Sequence, residues 1–438
     1  MLLINKKKIS IIFIFIIYAS YFLGFFLNEN SIGSGGIDGD FEWMWKNFEL
    51  FKNNSLIEAI HHKEFFGNRT PLLYLINILF NPFINDIYLY RLSIFLFSLM
   101  GPTFFYLCLK KKYRNIDKEK LLLIASLILL SPFYRTTAYW GMEINYGIIT
   151  ALVSFYYFIS ISENKKNILI KNILFLVFFS SITVYFDQKL VFIPLIAFFK
   201  IILIKNNLKI KIWTVLVYFL LSIPYLYLFY IWGGLVPLKT QMANPNTITS
   251  LSRLGSLYYY HLGYASTIIG FYLFPFLFLK ENSIQETIKK KISLKINYVL
   301  LVMPIIYIIF LILNYDFSSY TVNNYWVGLG WIHKISILLF NNLKIQEIFT
   351  YIAIFFSWLV IVLVLEKEKN DFLILAFFLI LSLLLWPLMQ EYFDPVIILI
   401  AFLALKTRLK LNYFGIFFLF FYLTVFLVAS NIYYLNII

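Results

Sequence analysis

An all-α protein that crosses a membrane about thirteen times is what this sequence predicts, and three observations predict it. Hydrophobic residues fill 61% of the 438 positions and charged residues only 13%. The apolar runs recur at lengths near the roughly 20 residues that carry a helix across a bilayer. Most of them are apolar on every side, whereas a soluble helix keeps a polar face. Finally, the Lys and Arg residues fall into alternate loops, the pattern of a polytopic chain obeying the positive-inside rule.

Taken in order, spans are read at residues 9–27, 88–109, 121–133, 144–162, 168–185, 189–204, 213–231, 257–279, 297–314, 348–365, 372–387, 393–405 and 412–430. Lys6 to Lys8 precede the first run, and no small-residue cleavage site follows Leu27, so that run reads as a signal anchor with its N-terminus on the cytoplasmic side. With that parity the inner segments are those around Lys6–Lys8, Lys110–Lys120, Lys165–Lys171, Lys200–Lys211, Lys280–Lys295, Lys367–Lys369 and Lys406–Lys410. They hold 26 of the 37 basic residues. The net charge of +15 then belongs to inner loops beside an anionic leaflet, and nucleic acid is not an expected partner. Lys110, Lys111, Lys112 and Arg114 accordingly read as a topology determinant. Cys108 is the single cysteine and lies in an apolar run, which excludes a disulfide within the chain and a Cys-based metal site. The richness in Ile, Asn, Lys and Phe suggests an AT-rich coding genome and a bacterial plasma membrane.

The outer loop 28–87 is the longest, and it carries the most chemistry. It opens on Gly33, Gly35 and Gly36, which allow tight turns and close approach, and continues into Asp38, Asp40 and Glu42. Behind these acids, Phe41, Trp43, Met44, Trp45, Phe48, Leu50 and Phe51 interleave with Lys46, Asn47, Glu49 and Lys52, as in a short amphipathic helix lying on a membrane surface. A second apolar stretch, Pro71 to Phe80, is too short to span and reads as another interfacial or re-entrant helix before Arg91 opens the second span. His61 and His62 are adjacent, so their side chains diverge and do not make a metal site by themselves.

This order of elements resembles the GT-C superfamily of membrane glycosyltransferases, which includes protein O-mannosyltransferases, aminoarabinose transferases and Rgt-like enzymes. The resemblance rests on one span, an acidic first loop with two interfacial helices, the Pro71–Leu75 segment and Arg91–Ser93 at the start of the second span. It continues in Ser131–Arg135, Tyr139–Trp140, Glu143–Tyr146 and Tyr185–Lys189, and covers roughly the first 230 residues. It implies a catalytic module at 1–231, with 232–438 as additional transmembrane helices.

The activity implied is transfer of a sugar from a polyprenyl phosphate or pyrophosphate carrier to a glycan, lipid or protein acceptor at the outer face, with inversion. Inversion needs a carboxylate that deprotonates the acceptor hydroxyl while the phosphate leaves from the opposite side. Asp40 and Asp38 are both candidates for that base, with Glu42 a third acid that points elsewhere if the helix has already begun. The leaving phosphate needs cations, for which Arg135, Lys189, Arg253 and Arg69 stand near outer span ends. Glu143, Asp187, Glu391 and Tyr392 sit in outer turns as candidate contacts to sugar or acceptor hydroxyls. The Asp38-x-Asp40 spacing also permits a divalent cation, Mg2+ or Mn2+, on carboxylate oxygens. Two rivals are an oligosaccharide polymerase or ligase, expected to place Arg and His in a large late loop, and a flippase or transporter, expected to place charges within its spans.

Overall fold

The computed structural model describes residues 6–30, 32, 37–67, 69–161, 170–203, 208–243, 257–280, 295–318, 328–365, 369–385, 387–407 and 409–434. Over these residues the protein is helical, with only an isolated bridge between Lys280 and Leu409 and no strand. It is an all-α protein with the long apolar helices of a multi-pass membrane protein. Among the described residues six helices are long and apolar enough to cross a bilayer: Lys6–Phe26, Ile87–Lys112, Leu208–Trp232, His261–Leu279, Leu343–Val364 and Tyr413–Tyr434.

Of the thirteen expected crossings, six, or seven with one bent pair, are matched among the described residues by helices of full span length, and the rest are not. Length is the physical reason. Ile144–Ser160 and Ile170–Phe186 have 17 residues each, Phe192–Leu203 has 12 and Val396–Leu403 has 8. At 1.5 Å per residue each falls short of a hydrocarbon core about 30 Å thick. The run expected as a third span is broken at Ser131-Pro132. Ser131 caps a new helix by accepting from the Tyr134 amide at 2.9 Å, Pro132 occupies the first turn, and the chain bends by 67°.

The chain forms two compact units, residues 1–254 with 423–438, and residues 255–422. In the first, α1 (Lys6–Phe26) is followed by three short helices in the loop, α2 (Asp38–Asn53), α3 (Leu56–His61) and α4 (Leu72–Phe80). Thus the two helices expected in that loop are present, and α2 already begins at Asp38. The acids in its first turn complement the free amides of a helix start. Its buried face is Phe41, Met44, Asn47, Phe48 and Phe51, the helical spacing of an amphipathic segment. Phe48 packs edge-on against Tyr74 and Tyr90 at 5.0 and 5.2 Å, which seats α2 on α4 and on α5 (Ile87–Ser98). The basic ends of this unit cluster: Lys7 pairs with Glu119 at 3.9 Å, and Lys111 donates to Ser160.

The second unit shows the same segregation. At one end Lys280 donates to the Leu363 carbonyl at 2.5 Å, Lys410 N bonds Leu279 O at 2.7 Å, and buried Asp371 accepts from the Lys406 and Thr407 amides. At the other, the Tyr259 hydroxyl reaches Asn314 O at 2.6 Å and Tyr258 N bonds Leu383 O at 2.9 Å. Three basic segments expected on one side of a membrane, around Lys280, Lys369 and Lys406, therefore meet at one end of the helices.

Candidate functional site

Every polar group that gathers behind the acids of α2 belongs to the first unit, and each is placed by a bond traceable to its neighbours in sequence. Buried Asn47, on the inner face of α2, donates to the Phe66 carbonyl at 2.5 Å and accepts from the Phe66 amide at 3.3 Å. This grips the strip that leads to Arg69. One residue later Thr70 donates to the Tyr185 carbonyl at 2.5 Å, so the strip is also tied to the turn that carries Asp187. Asp187 caps that turn, its Oδ1 accepting from the Lys189 amide at 3.0 Å. Glu143 lies in the turn between α6 (Pro132–Tyr139) and α7 (Ile144–Ser160). Gly141 in this turn has φ +68°, and the Tyr90 hydroxyl donates to its carbonyl at 2.7 Å. A Cβ there would come within 2.6 Å of the Tyr90 ring, so both the left-handed conformation and the close ring demand glycine.

The result is a buried acid–base cluster. Arg69 Nε contacts Glu143 Oε1, and Arg69 Nη2 stands 3.8 Å from Asp187 Oδ2. Both carboxylates are almost wholly buried, at 6% and 2% side-chain exposure, whereas Arg69 keeps 20%. Burial raises the Glu143 pKa above the usual carboxylate range; Arg69 opposes this, and the charges of Asp187 and Asp40 add to it. Asp40 is thus electrostatically joined to the cluster, although its own side chain is exposed on the first turn of α2. No hydrogen bond or ion pair engages the Asp40 carboxylate among the described residues.

The three acids of the motif have different surroundings. Asp38 is clasped: Asn30 donates to its Oδ1 at 3.1 Å while accepting from the Ile37 amide at 2.6 Å, closing the loop onto the helix start. Asp40 is exposed, and its charge adds to the rise in the Glu143 pKa. Glu42 is exposed two residues further around the helix, as expected once the helix has begun. Gly33, Gly35 and Gly36, and Arg253, lie outside the described residues.

Arg135 is nowhere near a free cation. Its guanidinium is 3% exposed and grips Glu29 through Nε at 3.0 and 3.2 Å and Nη2 at 2.6 Å. The remaining donors reach Ser20 Oγ, Ser20 O and Leu129 O. This pair fixes the chain as it leaves α1. Arg91 assists, donating to Asn28 Oδ1 at 2.9 Å and to Tyr139 O at 2.8 Å, and the Trp140 indole donates to Glu29 O at 3.1 Å. Sequence reasoning missed Glu29 altogether. Its only signal is an acid two residues past an apolar run, and its partner lies 106 residues away.

Lys189 sits in the Gln188–Val191 turn beside Asp187. Glu391 and Tyr392 belong to the other unit, in a single helical turn at Gln390–Tyr392, where the Glu391 charge acts on Lys334. Burial there pushes the Lys334 pKa down to about 8 against the pull of Glu391. Among the described residues no three His, Cys, Asp or Glu side chains come together as ligands for an ion. In the Asp38-x-Asp40 pair that offers carboxylate oxygens for Mg2+ or Mn2+, Asn30 donates to one Asp38 oxygen, while Arg69 lies between Glu143 and Asp187. No protein-family model, curated protein or solved structure is significantly similar to this chain.

Proposed function

We propose that the chain is a membrane glycosyltransferase that moves a sugar from a polyprenyl phosphate or pyrophosphate carrier to a glycan, lipid or protein acceptor at the outer face. The observation that carries this reading is an exposed Asp40, unengaged among the described residues, whose charge acts on a buried Glu143–Arg69–Asp187 cluster. Clusters of buried, mutually perturbing charges are characteristic of chemical sites. In the transfer, the acceptor oxygen bonds the anomeric carbon as the bond from that carbon to phosphate oxygen breaks. Asp40 takes the acceptor proton, and the phosphate leaves with the bonding electrons. Asp38, already held by Asn30, keeps the helix start in place, and Glu42 stands aside. Glu143 and Asp187 orient Arg69, whose partly exposed edge faces the growing negative charge.

The orientation that suits this reading has the basic ends of both units on the cytoplasmic side and α2 on the outer surface. The shorter apolar helices then complete further crossings within the bundle, towards the thirteen read in the sequence. The deciding experiment supplies membranes containing the chain with labelled polyprenyl-phosphate sugars and follows label into glycan, lipid and protein. Transfer by the native chain, lost in Asp40→Asn at equal membrane insertion, is the expected result. Transfer that persists in Asp40→Asn and in Asp38→Asn rejects the assignment.

A further inference from the structure

Arg135 is spent on Glu29, and Arg69 is shared with Glu143 and Asp187, so an anion arriving at the exposed face of α2 needs further cations. That face carries them. Trp43 lies one helical turn beyond Asp40, is 40% exposed, and has the Lys46 ammonium 4.6 Å from its ring centre. From a segment almost two hundred residues further on, Lys239 brings a second ammonium to 5.5 Å from the same ring. Phe66 closes the side at 4.7 Å. Gly39, on the same stripe of the helix, has open space where a side chain would project.

Lys239 is brought here by specific bonds. The Gly67 amide donates to Thr240 Oγ1 at 2.9 Å, and the same hydroxyl donates to Gly67 O at 3.1 Å. The Trp232 indole donates to Ile60 O at 3.1 Å. These bonds lash residues 232–240 onto the first loop. The indole attracts both ammonium groups without cancelling their charge. Lys239 is also paired with Glu64, an exposed pair that a stronger anion can displace. Lys46 has no acidic partner among the described residues.

An exposed indole flanked by two ammonium groups is complementary to a phosphate carried at headgroup depth, where aromatic residues of membrane proteins also sit. We infer that Trp43, Lys46 and Lys239 hold the phosphate of the polyprenyl carrier, a step that rests on the transferase reading above. The phosphate accepts from the two ammonium groups, the indole forms an apolar wall beside them, and Glu64 competes for Lys239. The sugar then extends along the Gly39 side towards Asp40, one turn away.

The test uses the full chain in phosphatidylcholine nanodiscs and measures binding of a short-chain polyprenyl monophosphate bearing no sugar. Uncharged polyprenol and phosphatidylglycerol serve as comparison ligands. Each lysine near an anionic group contributes about 1 kcal/mol, so Lys46→Ala and Lys239→Ala each weaken binding about fivefold and the double variant about 25-fold. Glu64→Gln, which removes the competitor, tightens binding. All of these side chains are at the surface, and unchanged thermal unfolding establishes that the variants fold. Phosphate binding equal in the double variant and the native chain overturns the inference, as does equal binding of phosphatidylglycerol. Because the probe carries no sugar, these results are separate from the transfer assay: Asp40→Asn retains phosphate binding even though it loses transfer.

Discussion

Arg135 and Arg69 are both held against carboxylates in the same unit, yet one grips a single acid and the other is shared between two. Arg135 spends its donors on Glu29, Ser20 and Leu129, and Glu29 answers with a bidentate grip. Arg69 is shared between two carboxylates that are themselves more deeply buried than it is, one of them at 3.8 Å. A guanidinium with complete hydrogen bonding offsets the cost of burial and holds structure. Where two buried carboxylates share one guanidinium, one negative charge is left unbalanced, and Glu143 is pushed towards its protonated form. The first arrangement fastens the loop; the second leaves a carboxylate whose charge depends on its neighbours.

The largest effect should come from the acid whose charge acts on the shared cluster. Asp40→Asn keeps shape and removes a proton acceptor, and general-base groups contribute about 10²–10⁴-fold in rate, so sugar transfer should fall by that factor with thermal stability unchanged. Asp38→Asn, which retains an acceptor for Asn30, should cost much less. Equal losses in the two would erase the distinction drawn between them.

Next in size is the saturated pair. Arg135→Met strands Glu29 in a buried site, and removal of one partner of a buried ion pair costs about 3–5 kcal/mol. Chemical or thermal unfolding of the purified chain should register it. Combining it with Glu29→Gln should recover part of the loss, because the stranded charge has gone. Gly24→Ala probes the same contact from α1. A Cβ at Gly24 would lie 2.5 Å from Glu29 Oε2, 2.6 Å from the Tyr139 hydroxyl and 2.7 Å from Arg135 Nη2. Overpacking of this kind costs about 1–3 kcal/mol, below the loss for Arg135→Met. If Gly24→Ala is neutral, the pair is looser than its geometry indicates.

Much of this fold is legible in the sequence because helices declare themselves through local apolar runs and their breakers. The runs at 9–27, 213–231 and 412–430 became long helices, and the alternation of Phe41, Met44, Phe48 and Phe51 with charged residues announced α2. Crossing number was less legible, since an apolar run does not reveal that Ser131-Pro132 will start a new helix or that 192–203 will stop after 12 residues. In the candidate site, Arg69, Glu143 and Asp187 were each recognisable as polar residues in outer turns, but not as one cluster. Their meeting depends on Thr70 bonding Tyr185 and on Asn47 holding Phe66, contacts across 115 and 19 residues that no local pattern encodes. Arg135 shows the converse: a basic residue in an aromatic turn looks the same whether it awaits a phosphate or already holds a buried acid.

The subtlest consequence of the shared cluster is a slope with pH. Glu143 has a pKa raised above 4.5 chiefly by burial, with Asp187 and Asp40 adding to the effect. A group whose folded pKa exceeds its unfolded value binds more protons in the folded state, so its stabilising contribution is full below the unfolded pKa and is lost as pH rises through the folded one. The native chain should therefore lose stability as pH climbs above 4.5. Glu143→Gln carries no such charge, and its unfolding profile should be flatter over that range, with its advantage over the native chain growing towards higher pH. An identical slope in both proteins would mean that Arg69 already neutralises Glu143 fully. The two arginine sites would then differ in geometry alone.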